Sequence, residues 1–291
     1  MKISVNNNIM KRLNILLLIA VLIVSITGCE EYLDKPIEGQ LPLSDVDYTN
    51  LSNMYQPVAG VLGTSRSFNL ISWADGCVER FRTDFIVKGN GIGNQAAMEA
   101  VLEKYQYTNV DWFVMQPWSR VYGIVKKCNT ALLELDKFRE NCSGSELELN
   151  DQYKAEVRFI RALAYHRGAR FYGDISWFDT EIASIDLRLS PRDEVYAWII
   201  AELKDLREDL PEEHPNKLAR NGAITKWAAD MMLAKAAADI QDYATMEQAA
   251  GEIVKSGLFS LYPDYYDLFT VNGELSDENI FELQYYYFNE D

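Results

Sequence analysis

The chain has 291 residues, 48% of them hydrophobic, enough apolar material for one large core or two smaller ones. Its 44 acidic residues outnumber 28 basic ones for a net charge of −16, which excludes the basic footprint that nucleic acid or an anionic headgroup surface requires. Two histidines, His166 and His214, and four cysteines offer little for metal or histidine chemistry, and no cofactor is implied.

The first thirty residues read as an address. Lys11-Arg12 precedes an unbroken apolar run of ten residues from Ile15 to Val24, closed by Ser25-Ile26-Thr27-Gly28-Cys29. That run is short for a membrane-spanning helix, which needs about 20 residues. Ile26-Thr27-Gly28-Cys29 resembles the lipobox of bacterial lipoproteins, in which the cysteine is acylated and becomes the first residue of the mature chain. Two or more acyl chains on Cys29 suffice for stable anchoring. Met10 stands directly before Lys11 and is a second candidate start. Residues 1–28 are therefore expected to be a signal peptide, 29–50 an extended lipid-proximal linker and 51–291 a helical domain. Removing the three basic residues Lys2, Lys11 and Arg12 leaves 25 against 44, a mature net charge of −19. Cys77, Cys128 and Cys142 then allow at most one disulfide, and Cys128 keeps helical spacing with Ile124, Val125, Ala131 and Leu132, as a small core residue does.

In chain order, residues 63–95 are rich in glycine and read as a long irregular stretch, with Trp73-Ala74-Asp75-Gly76 on a short turn. Trp118, Val121, Tyr122, Val125, Cys128, Leu132 and Leu135 mark one face of a helix ending near Phe138. Residues 141–145 break the pattern, and a second helix is expected over 153–170. Ser190-Pro191-Arg192-Asp193 predicts a capping box with proline at the first helical position. The buried stripe Val195, Trp198, Ile199, Leu203, Leu206 and Leu210 follows, and Pro211 stops it. An alanine-rich helix is expected over 223–240 and a last one over 245–255, ended by Ser256-Gly257. Residues 280–285 start as a strand, and the chain stops soon after at Asp291, which suggests a truncated protein. The fold class is mainly α, an irregular stack of helix pairs that meets only part of the tetratricopeptide pattern, with long loops and an incomplete C-terminal strand.

Several of these segments together resemble the SusD/RagB family of outer-membrane glycan-binding lipoproteins of Bacteroidetes. They are Cys29-Glu30-Glu31-Tyr32-Leu33-Asp34-Lys35-Pro36, the helix Ala155-Glu156-Val157-Arg158-Phe159-Ile160-Arg161-Ala162-Leu163-Ala164-Tyr165 and the turn Arg170-Phe171-Tyr172-Gly173-Asp174. Ser190-Pro191-Arg192, Thr225-Lys226-Trp227-Ala228-Ala229, residues 256–261 and Glu278-Asn279-Ile280-Phe281-Glu282 follow in the family's order. Two positions depart from it: Gly222 is followed by Ala223-Ile224 in place of the usual Gly-Arg, and Ser176 stands where a proline is common. Family members are much longer. The resemblance implies tetratricopeptide-like helix pairs, capture of oligosaccharide at the cell surface and partnership with a TonB-dependent transporter, and Glu30-Glu31 resembles a surface-export signal.

Sugar binding asks for flat apolar faces against pyranose C–H groups, rimmed by carboxylates and guanidinium groups. Trp73 and Asp75, followed closely by Arg82 and Asp84, supply those types, and Glu79-Arg80-Phe81-Arg82-Thr83-Asp84 resembles a family segment near the ligand surface. The alternative has Trp73 capping the helix stack and Arg82–Asp84 as a local ion pair. Trp112 is open to either role, Trp118 reads as core, and Trp177-Phe178 could face a ligand, the transporter or the core. No nucleophile elbow, zinc-protease motif or phosphate-cradling loop occurs, so no enzyme is expected. His166 reads as a solvated or core-edge residue and His214, before Pro215, as exposed. A helical scaffold lipoprotein without glycan binding is the rival function.

Overall fold

The computed structural model describes residues 45–66, 73–86, 101–179 and 187–284, except the side chains of residues 73–75 and 77. By internal contacts the chain divides into Met1–Asp47 and Tyr48–Asp291. The description below concerns the second unit. Cys29 and the expected signal segment lie outside the described residues.

Besides a helical stretch at 101–103, seven α-helices occur among the described residues: α1 Gln56–Thr64, α2 Trp73–Arg80, α3 Trp112–Arg139, α4 Ser145–Tyr172, α5 Arg192–Leu206, α6 Lys226–Asp239 and α7 Tyr243–Ser256. Each long helix packs on the next, α3 on α4, α4 on α5, α5 on α6 and α6 on α7, while α1 lies against α3 and α4. This is the expected stack of helix pairs. None of the described helices is long and apolar enough to cross a membrane.

The core follows the predicted stripes. α3 buries Val121, Ile124, Val125, Cys128, Ala131, Leu135 and Phe138, and α5 buries Val195, Ile199, Leu203 and Leu206. Cys128 has no exposed surface, and burial pushes its thiol up to about 12, so it is an inert core residue. Cys142 is half-buried with a free thiol near the Phe138 carbonyl, 3.3 Å away. α6 is buried on most of its circumference, because its alanines let α5 and α7 approach from two sides. α7 starts at Asp242, whose carboxylate accepts from the Thr245 N–H at 3.1 Å, and ends at Gly257 with φ +65°.

Four expectations are corrected. Trp73 and Asp75 sit in the first turn of α2, where a loop turn was expected; the helix is held by Val78, which buries against Leu102 and Phe113. α4 begins at Ser145, a full two turns before the expected start, its first residues being polar but helix-compatible. The capping box at Ser190 is not used. Ser190 instead pairs by backbone hydrogen bonds with Ile175, and the Arg192 N–H that opens α5 donates to Asp174 across a loop at 2.9 Å. The expected strand at 280–285 forms no sheet among the described residues. Phe281 packs edge-on to Phe159 at 5.2 Å, and the Glu282 carboxylate takes the Leu275 N–H at 2.9 Å, so side-chain contacts replace a ladder.

Candidate functional site

One concavity among the described residues lies where the ends of α2 and α4 meet the start of α3. A small apolar cluster underlies it: Val78, Leu102 and Phe113 are buried, and Phe81, Tyr107, Val114 and Phe171 pack on them. Above this floor is a cleft of about 460 Å³ lined by Val78, Glu79, Arg82, Tyr105, Arg170 and Phe171. That volume falls in the range of small-ligand sites.

Tyr105 adopts φ +55°, an uncommon left-handed conformation for a bulky residue, and the residue is 59% exposed. Its hydroxyl donates to the Arg82 carbonyl. The Arg82 guanidinium lies 5.8 Å from the Tyr105 ring centroid and 5.7 Å from that of Tyr107, so two rings fix an exposed cation at the cleft wall. On the other wall the Arg167 guanidinium sits 5.6 Å over Phe171 and 3.8 Å from the Glu79 carboxylate.

Of the predicted site residues, Arg82 is therefore in the cleft. Asp84 is exposed on the same turn but does not line it, and no Arg82–Asp84 ion pair forms among the described residues. The backbones of Trp73 and Asp75 are on α2, and their side chains lie outside the described residues. Sequence reasoning missed Tyr105, Arg170 and Phe171. Phe171 and Arg170 stand in the turn used above for the family resemblance, and Tyr105-Gln106-Tyr107 is an aromatic pair that could have drawn notice.

A second, apolar groove of about 290 Å³ opens beside the first, lined by Asn109, Val114, Met115, Trp118, Ser119 and Tyr172. Trp118 is thus a half-buried groove wall, not simply core; its ring meets Tyr122 at 5.0 Å and Tyr172 at 5.1 Å, both edge-on. Pro117 inside α3 removes one helical donor in this turn, and the Tyr172 hydroxyl donates to the nearby Val114 carbonyl at 2.7 Å. Trp112 is 52% exposed at the start of α3. Trp177 and Phe178 pack inward, against Trp198 at 5.5 Å and Tyr122 at 5.9 Å respectively.

The most recognisable helix motif serves structure. Glu156 is fully buried and receives Arg220; Arg161 donates to Asn129 and Glu202; the Tyr165 hydroxyl donates to the Phe178 carbonyl at 2.5 Å and accepts from the Phe178 N–H at 3.0 Å. Both histidines are buried: His214 contrary to expectation, His166 on the core side of the two roles left open for it. His166 Nε2 is 2.8 Å from Asp239 Oδ2, which also accepts from the Tyr196 hydroxyl at 2.9 Å. His214 packs on Phe259 at 4.7 Å and its Nδ1 accepts from the Asn216 N–H. No group of three His, Cys, Asp or Glu side chains among the described residues is placed to hold a metal ion.

The helix-pair stack is the fold of SusD-like proteins, as comparison with known proteins shows. The SusD-like_3 family model, starch-binding associating with outer membrane, matches residues 39–237, and the chain belongs to that family. Among curated proteins it is 25% identical over 278 residues to SusD-like protein P25 of Formosa agariphila, covering 91% of this chain and 50% of that one. The chain spans about half the length of the curated relatives it matches. Surface glycan-binding protein A from Bacteroides thetaiotaomicron in complex with laminarihexaose superposes with a TM-score of 0.65 at 22% identity, over 80% of this chain and 49% of that one. A SusD superfamily protein from Bacteroides vulgatus gives a TM-score of 0.70 at 17% identity, over 81% of this chain and 50% of that one. At these identities the structural matches establish the fold.

Proposed function

We propose that this protein captures oligosaccharide at the bacterial surface, without chemically altering it, and hands it to a TonB-dependent SusC-like outer-membrane transporter. In this reading Cys29 carries the lipid that holds it to the outer membrane, residues 29–50 are the tether and the remainder is the binding domain. The carrying observation is the cleft in which exposed Tyr105 and half-buried Phe171 offer ring faces beside the Arg82 guanidinium. Rings of this kind stack on pyranose C–H faces while guanidinium N–H groups reach hydroxyls. Trp73 and Asp75 on α2, and Asp84 on the turn after it, belong to the same proposed surface. Family membership and the laminarihexaose complex of the B. thetaiotaomicron protein support the ligand class.

Affinity electrophoresis through polysaccharide gels tests it. Retardation on at least one glycan is expected, with Tyr105→Ala and Trp73→Ala each reducing it, and no reducing sugar released. Absence of retardation across a broad panel overturns the reading. A helical scaffold without glycan binding is the second reading, favoured by the exposed apolar residues Leu261, Tyr265, Tyr266, Phe269 and Val271. It predicts unchanged mobility on every gel together with stable co-purification of a membrane partner.

A further inference from the structure

We propose that the Arg82 cleft selects a saccharide carrying an anionic group, a carboxylate or a sulfate ester. This rests on the glycan-capture reading above and names the class of ligand within it.

The reason is an exposed guanidinium in the cleft, Arg82, with no carboxylate paired to it among the described residues, in an otherwise acidic protein. Among the described residues, Arg82 and Arg170 both line the cleft, and Glu79 is the carboxylate that lines it with them. Glu79 is already offset by Arg167 at 3.8 Å. Arg170 is offset to the same degree by Asp239, 3.9 Å from its Nε, although that carboxylate oxygen is also engaged by His166 and Tyr196, so Arg82 is the lining cation that carries the argument. Arg82 makes no ion pair among the described residues and is held by the rings of Tyr105 and Tyr107. Rings orient a guanidinium and leave its forked N–H donors for an incoming acceptor. The planar fork matches the paired oxygens of a carboxylate or sulfate better than the single oxygen of a hydroxyl.

The net charge of −16 sharpens the point. The whole molecule's field repels anions at long range, so Arg82 gains nothing from general steering and acts only through direct contact. The flanking Tyr105 and Phe171 rings would take the sugar's apolar face while Arg82 takes its charged substituent. The cleft volume of about 460 Å³ suits a short segment of a chain better than a whole polymer.

Isothermal titration of the full chain tests the inference with four probes: hexagalacturonate, its methyl ester, a sulfated chondroitin hexasaccharide and laminarihexaose. The carboxylate and sulfate probes separate the two anionic sources. At least one of them is expected to bind roughly ten-fold tighter than both neutral probes, with the advantage shrinking as salt rises. Arg82→Gln should cut that preference by about ten-fold, and Arg82→Lys, which keeps the charge but loses the fork, should keep part of it. Because Arg82 is exposed, an unchanged melting temperature for both variants will separate binding from folding. If the methyl ester or laminarihexaose binds as tightly as the anions, selection of charge is overturned while glycan capture stands. If none of the four binds, selection of an anionic saccharide falls, while glycan capture falls only if the broad gel panel also shows no retardation.

Discussion

Glu156 lies in the middle of α4 with no exposed surface, and its carboxylate receives Arg220 and the Gln152 amide, the latter at 3.2 Å. Burial raises its pKa above the ordinary carboxylate range, and Arg220 offsets only part of that rise. The pair is therefore unequal. Arg220→Met strands a buried carboxylate and should cost about 3 kcal/mol of unfolding free energy. Glu156→Gln leaves a partly exposed guanidinium that water can reach, and should cost less than half as much. Urea titration of the two variants checks this; equal costs would show that burial of Glu156 is not what sets the energy. Arg82 obeys the opposite logic, since an exposed cation contributes little to stability and is available for a ligand.

At the scale of elements, the end of α4 decides where α5 begins. Gly173 has φ +78°, a conformation costly for other residues, and turns the chain so that Ile175 meets Ser190 across an antiparallel bridge. The same turn aims Asp174 at the Arg192 N–H, replacing the local serine cap that the sequence pattern implied. Asp174→Ala should lower stability by about 1 kcal/mol, and Asp174→Asn by much less, because the amide oxygen can still accept. Thermal melts are sufficient to see it. No change on Asp174→Ala would mean that solvent or Ser190 satisfies α5 equally well. The cleft depends on this region too, since Arg170 and Phe171 occupy the last turn of α4, directly before Gly173.

Across the helix stack, buried groups that titrate near neutral pH among the described residues include Asp230, which burial raises to about 6, and His166. His166 joins α4 to Asp239 at the end of α6, and burial lowers its pKa below 6.5, outweighing the Asp239 carboxylate; Arg170 and Lys235 lower it further. The unfolded chain then takes up this proton before the folded one does, so stability falls as pH drops through about 6.5. The stability difference between the parent protein and His166→Gln should shrink between pH 7.5 and 5.5. A difference that stays flat or grows on acidification would contradict the sign. The lipid reading belongs at this scale as well: Cys29→Ala is expected to move the protein from the membrane fraction to the soluble one and to abolish incorporation of a fatty-acid label.

The sequence by itself determined the class of this protein. Helical periodicity, the alanine-rich α6, the Gly257 stop and the ordered motifs from Ala155 to Glu282 are one-dimensional patterns, and a 3.6-residue period needs no knowledge of the neighbour it packs on. Arg82 was legible for the same reason, through its local company. Tyr105 and Phe171 were not, because they stand 66 residues apart and meet only when the end of α4 folds back beside the start of α3. The histidines went the same way: whether His166 faces water or Asp239 is decided by a contact across 73 residues. Burial and pairing are properties of such long-range contacts, so the choice among chemically similar residues for the site, and the charge the cleft presents, was left to the tertiary structure.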